Sequence, residues 1–232
     1  MYNEFFKKNQ TVLLFSASFL AVLFLTYSIS FLRRIAAFNQ LKHNIPVGEI
    51  YGQKTIGQTL RAEYDDLSGI ELLLATYSRK NSGELNFHLK KDVDSQEELF
   101  ICKRDISKVK DNRYYMFEFP PINNSKGKKF YFYLEAPQSQ PGNAITIWSN
   151  SSDSYKEGEK IINGIVSDGD LAFKTIYHPG IKGGIDTLLA KTIQNKPFPL
   201  NKKIFYIILI LLFILNSSLF LTFIIKSIQK RG

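Results

Sequence analysis

The chain has 232 residues, 44% of them hydrophobic, and carries 30 basic against 21 acidic side chains for a formal charge of +9. Residues 49–186 hold 18 of the basic and 20 of the acidic groups, so the positive excess lies entirely outside that segment, beside two long apolar runs. This distribution excludes a nucleic-acid footprint and matches cations placed at anionic lipid headgroups; the one cysteine, Cys102, excludes an internal disulfide and a zinc site with cysteine partners.

A short tail, 1–10, leads into residues 11–32, which contain no charged side chain. As a helix this run spans about 33 Å, enough for a hydrocarbon core of about 30 Å. It is longer than a signal-peptide core of about 7–15 residues. Arg33 and Arg34 stand where a small-residue cleavage site would be needed. An uncleaved membrane anchor is expected. Residues 33–48 read as a connector closed by Pro46 and Gly48.

Residues 49–178 read as a β-sandwich. Leu85, Phe87 and Leu89 alternate with Asn86, His88 and Lys90; Tyr115, Phe117 and Phe119 with Tyr114, Met116 and Glu118. Phe130, Phe132 and Leu134 alternate with Tyr131, Tyr133 and Glu135, and the same period recurs around Ile70–Leu74, Ile145–Ile147 and Leu171–Phe173. Turn formers separate the runs at Asn81-Ser82-Gly83, Asn123-Asn124, Pro141-Gly142-Asn143 and Ser167-Asp168-Gly169. Short strands at close spacing, with no long amphipathic helix among them, predict an antiparallel sandwich or jelly roll. Residues 179–203 form a linker: glycines first, then a short amphipathic helix over 185–193, ended by Pro197 and Pro199. A second uncharged run, 204–225, and a basic tail, 226–232, complete the chain. The expected fold class is therefore mainly β, an antiparallel sandwich between two transmembrane helices. Five cations in the tails face seven on the inner flanks, so charge leaves the orientation of the middle domain open.

Catalytic signatures are missing from the pattern. His43, His88 and His178 share no ligand spacing, and no HExxH, GxSxG, Walker or GxGxxG sequence occurs. A non-enzymatic chain with no cofactor is expected, a structural calcium ion being the one candidate. Asp153, Asp168 and Asp170 are its possible oxygen ligands; the same residues also read as ordinary turn formers. Trp148, Tyr155, Tyr131 and Tyr133 supply aromatic faces that either stack on sugar rings or pack the sandwich. Asn216, Ser217 and Ser218 in the second run suit contact with another helix.

A set of turn and core motifs runs through 52–177: Gly57-Gln58-Thr59, Leu67-Ser68-Gly69-Ile70, and the stretch from Ala75 to Gly83. The set continues through Asp111-Asn112, Phe117-Glu118-Phe119-Pro120-Pro121-Ile122 and Phe132-Tyr133-Leu134-Glu135-Ala136-Pro137, and ends on Gly142-Asn143-Ala144-Ile145-Thr146 and Gly169-Asp170-Leu171-Ala172-Phe173. With these motifs the segment resembles a bacterial extracellular β-sandwich module of poorly defined function. The resemblance implies an outward-facing domain in membrane proteins of polysaccharide or envelope systems, and no catalytic residue. The resulting expectation is a two-pass bacterial membrane protein with an extracytoplasmic domain that binds glycan or a partner membrane protein. The alternative is a structural subunit of a larger membrane complex held through its helices.

Overall fold

A computed structural model describes residues 35–209 together with 211, 212, 215 and 228. The first apolar run, 11–32, lies outside the described residues, as does most of 204–225. Among the described residues no helix is long and apolar enough to cross a membrane. Residues 34–179 form one compact unit; the described part of 180–232 belongs to another.

The first unit is mainly β, with two antiparallel sheets. Its strands in chain order are β1 (Ile35–Gln40), β2 (Ile45–Pro46), β3 (Thr55–Arg61), β4 (Leu67–Ala75), β5 (Glu84–Lys90), β6 (Glu98–Asp105) and β7 (Arg113–Ile122). They continue as β8 (Lys129–Glu135), β9 (Thr146–Asn150), β10 (Lys160–Ile162), β11 (Ile165–Ser167), β12 (Asp170–Leu171) and β13 (Phe173–Tyr177). The seven-stranded sheet runs β1-β13-β4-β9-β12, with β7 on the other edge of β4 and β2 beside β9. The six-stranded sheet runs β11-β10-β3-β8-β5-β6.

The alternation in the sequence sets which face is buried. Ile56 and Leu60, Leu85 and Phe87, and Phe130 and Phe132 of the six-stranded sheet are buried. They meet Ile70, Leu72, Leu74, Phe117 and Phe173 of the other sheet. The Phe87 ring stacks on Phe117 across the interface, centroids 4.5 Å apart and nearly parallel. Phe132 meets Phe173 edge-on at 5.7 Å.

A buried polar tie joins the sheets within this apolar layer. Gln58 of β3 donates from Nε2 to Asp170 of β12 at 3.2 Å, and its Oε1 accepts the Leu171 N–H at 3.0 Å. The second Asp170 oxygen accepts the N–H groups of Ser154 (2.7 Å) and Tyr155 (2.8 Å). Gln58 is wholly buried and Asp170 almost so, so every bond counts in a medium that offers no water in exchange.

Three expectations change. Residues 33–48 are not a connector: Ile35–Gln40 is a sheet strand, with Ile35 opposite Tyr177, and Ile45–Pro46 pairs with β9. The sandwich therefore begins some fourteen residues before position 49, by count from Ile35. Ala36 and Ala37 hide the alternation because they are small, and Asn39 steps out of the ladder to accept the Thr175 N–H and hydroxyl. The helix α1 (Gly180–Ile193) starts five residues before 185 and takes in Gly183 and Gly184. Glycine lowers helix propensity by only about 1 kcal/mol, which context overrides. His88, expected on an open polar face, is only 9% exposed.

One glycine is sterically required. A Cβ on Gly57 would lie 2.4 Å from the Phe132 carbonyl oxygen and 2.6 Å from the Tyr131 ring, which lies across it. Gly57→Ala is expected to destabilise the domain by about 1–3 kcal/mol, the usual range for overpacking; a thermal-unfolding scan showing an unchanged midpoint would contradict this packing.

Candidate functional site

Of the four candidate aromatics, Tyr155 belongs to the core. It is 8% exposed, packs edge-on against Phe173 at 5.2 Å, and its hydroxyl accepts the Arg61 N–H at 3.1 Å. Burial raises its pKa. Tyr131 and Tyr133 share the outward side of the six-stranded sheet and stack on each other at 5.6 Å. The second ring also stacks on His88 at 4.3 Å, lies under Lys90 at 5.6 Å, and donates from its hydroxyl to Glu98 at 3.0 Å. Burial, then the Glu98 charge, pushes Tyr131 up to about 12, and Tyr133 shifts in the same direction. Their ring faces are thus occupied by the protein's own side chains. The carboxylates of Glu98 and Glu135 approach the two His88 ring nitrogens at 3.3 and 3.4 Å, without hydrogen-bond geometry.

The calcium candidates do not converge either. Asp170 uses both oxygens on the Gln58, Ser154 and Tyr155 donors. Asp153 is exposed and pairs with Lys156 at 2.7 Å. Asp168 is exposed in the turn before Gly169. Lys160, only 6% exposed, stands near Asp168 and Asp170; burial lowers its pKa, and the two carboxylates oppose that shift. Among the described residues no three acidic, histidine or cysteine side chains could share a metal ion. Cys102 is half-buried, and burial raises its thiol pKa, which disfavours the reactive thiolate.

Trp148 is different. It sits on β9 facing away from the core and forms one wall of an open recess of about 540 Å³. His43, Leu73, Asn112, Arg113 and Tyr114 complete it. The indole N–H donates to Asn112 Oδ1 at 2.7 Å, and the His43 ring meets the indole edge-on at 5.3 Å. Leu73 is the outward residue between the inward Leu72 and Leu74 of β4, which makes it an apolar floor. Tyr114 is held by Lys174, 3.6 Å above its ring, and Lys174 pairs with Glu71 at 3.1 Å. An aromatic wall, an apolar floor and a rim of amide and guanidinium groups can hold a ligand with apolar faces and a hydroxyl edge.

A second recess has a volume of about 440 Å³; Thr76, Ser78, Arg79, Lys80, Asn81 and Asp111 are among its walls. The chain turns here with Tyr77 and Ser78 both left-handed, at φ 56° and 57°, and the Arg79 N–H closes on the Thr76 carbonyl at 3.1 Å. Non-glycine residues rarely take this conformation. Asp111 holds it, accepting the Thr76 N–H at 2.5 Å and the Ser78 hydroxyl at 3.3 Å. These bonds, the Thr76 N–H first, lower the Asp111 pKa. Asn112, in the wall of the Trp148 recess, donates to Asp111 at 3.0 Å. Behind the turn, Arg79 pairs with Glu49, whose carboxylate also accepts the Gly142 N–H. The amide bond and the Arg79 guanidinium hold the Glu49 pKa below the ordinary range.

Only Trp148 of this group is legible as a site residue from sequence. His43 and Arg113 carry no local signal. Asn112 offers one, since asparagine tolerates the left-handed conformation it adopts at φ 53°. Comparison of the chain with family models, curated proteins and solved structures returns no significant match. The resemblance of 52–177 to a bacterial envelope module therefore has no support from these comparisons.

The Asp111 clamp makes a prediction with a definite sign. Its folded pKa is depressed, so its contribution is present above the ordinary aspartate value of about 3.9 and is lost as pH falls through the lower folded value. The Thr76 amide resonance is expected to titrate with a midpoint below that value, and Asp111→Asn to abolish the titration. A midpoint at or above the ordinary value would remove the clamp.

Proposed function

We propose that this chain is a membrane-anchored, non-enzymatic binding protein whose sandwich domain captures glycan at the Trp148 recess. The recess carries the reading: Trp148, a candidate aromatic that points away from the core, lines an open cavity. The other three candidates spend theirs on internal packing. The anchoring half rests on hydropathy, since 11–32 and 204–225 each lack a charged residue over a bilayer-spanning length. Clustered cations on their flanks fit the same picture. The resemblance of its turn and core motifs to a bacterial envelope module is what favours an extracytoplasmic domain.

A second reading, a structural subunit of a membrane complex, is favoured by Asn216, Ser217 and Ser218 in the middle of the second run. It predicts that exchanging the two apolar runs for unrelated spans abolishes function while Trp148→Ala does not.

Two measurements separate these ideas. On a glycan array, Trp148→Ala is expected to lose at least ten-fold in signal while Tyr133→Ala retains it; equal behaviour of the two variants would overturn the assignment of the site. The exposed Ser152 gives a topology probe. A Ser152→Cys variant should react with a membrane-impermeant maleimide in intact cells, and labelling only after lysis would reverse the orientation.

A further inference from the structure

The side chains around the Trp148 recess are rich in donors and poor in acceptors. Asn112 supplies the one side-chain amide in its wall, and both ends of that amide are engaged. Oδ1 accepts the Trp148 indole N–H at 2.7 Å, and Nδ2 donates to Asp111 at 3.0 Å. His43 Nδ1 donates to the Leu41 carbonyl at 2.9 Å, so Nε2 is the ring nitrogen left over. Burial, and then the Glu71 charge, raises the Tyr114 pKa, so its phenol stays protonated. No aspartate or glutamate is among the lining residues.

Arg113 completes the wall, and its charge is unmatched. It is exposed, and among the described residues it takes part in no ion pair. The other cation at this wall, Lys174 over the Tyr114 ring, is cancelled by Glu71 at 3.1 Å. Asp111, two positions before Arg113, gives its oxygens to the Thr76 N–H, the Ser78 hydroxyl and the Asn112 amide. Nor does Arg113 belong to a generally basic domain, since residues 49–186 hold 18 basic against 20 acidic groups. A guanidinium offers five N–H donors in a planar fork and no acceptor, which a carboxylate matches with two oxygens that only accept. A sugar hydroxyl also brings a proton, and these side chains have little to receive it. An ammonium group would be repelled.

We infer that the saccharide captured at this recess is acidic: a uronic-acid ring packs against Trp148, and its carboxylate pairs with the Arg113 guanidinium. This rests on the glycan reading of the recess and adds the charge of the ligand to it. The two side chains then divide the recognition. Trp148 serves any pyranose with an apolar face, and Arg113 tells an acidic ring from a neutral one. Because Arg113 is exposed, its pairing is screened by salt, and the discrimination weakens as ionic strength rises.

The test uses the full chain in mild detergent on an array of uronic-acid oligosaccharides, their carboxyl-reduced counterparts and sulfated neutral oligosaccharides, at low and high salt. Wild type is expected to bind the uronates about ten-fold or more above the carboxyl-reduced forms at low salt, as a charged hydrogen-bonded pair implies, and to lose most of that margin at high salt. Arg113→Gln should bring the ratio close to one. Lys110→Gln, which removes an exposed cation outside the recess, should leave it intact. Trp148→Ala should remove binding of both forms. A ratio of one in wild type, a ratio unchanged in Arg113→Gln, or a preference for the sulfated sugars over the uronates would refute the carboxylate site and leave the glycan reading standing. No binding of any saccharide by wild type would overturn both.

Discussion

The two sheets are held in register by one buried exchange between Gln58 and the Asp170–Leu171 pair. An apolar interface such as Phe87 on Phe117 is strong but nondirectional, and layers of similar side chains can slide. A fully buried amide that donates to one residue and accepts from the next fits one alignment only. Asp170 extends the constraint to the 154–155 backbone, and so to Tyr155, whose hydroxyl reaches Arg61 at the far end of β3. Removing either partner would leave a buried group unsatisfied, the costlier error. The outward residues of each sheet, Trp148 among them, take their positions from this alignment.

The same physics explains why the aspartates do not make a metal site. A buried carboxylate needs partners, and at Asp170 the chain provides three donors of its own, with Lys160 nearby as a charge. Turn formation and metal ligation draw on the same residue types, and sequence cannot distinguish them when one of the competing donors, Gln58, comes from over a hundred positions away. Tyr131 and Tyr133 illustrate a related limit. Alternation places them outward, as the structure shows, but outward is not free: Gly57, opposite Tyr133 and diagonal to Tyr131, leaves a gap in that face. The gap at Gly57 lets the Tyr131 ring fold over the sheet and become 5% exposed.

The alternating strands were readable because the inward residues are large: phenylalanine, leucine and isoleucine against polar neighbours in β4, β5, β7 and β8. The alanine-rich β1 lacked that contrast. The β10–β11 hairpin carried a plain signal, Asn163-Gly164, with both residues left-handed as a type I′ turn requires. The Trp148 recess was the least legible part. Trp148 stands out by its rarity, but its floor and rim come from the 41–44 loop, β4 and the start of β7, and only the folded sheet assembles them.

The pairing of β1 with β13 has a consequence for how the domain is made. The strand synthesised first lies beside the one synthesised last, with Ile35 opposite Tyr177. While the nascent chain is still short of residue 177, β1 has no neighbour and β4 has one bare edge, however complete the six-stranded sheet is by then. Closure of the seven-stranded sheet therefore waits on the end of the domain rather than proceeding with elongation. During that interval an unpaired strand is offered to any neighbouring chain.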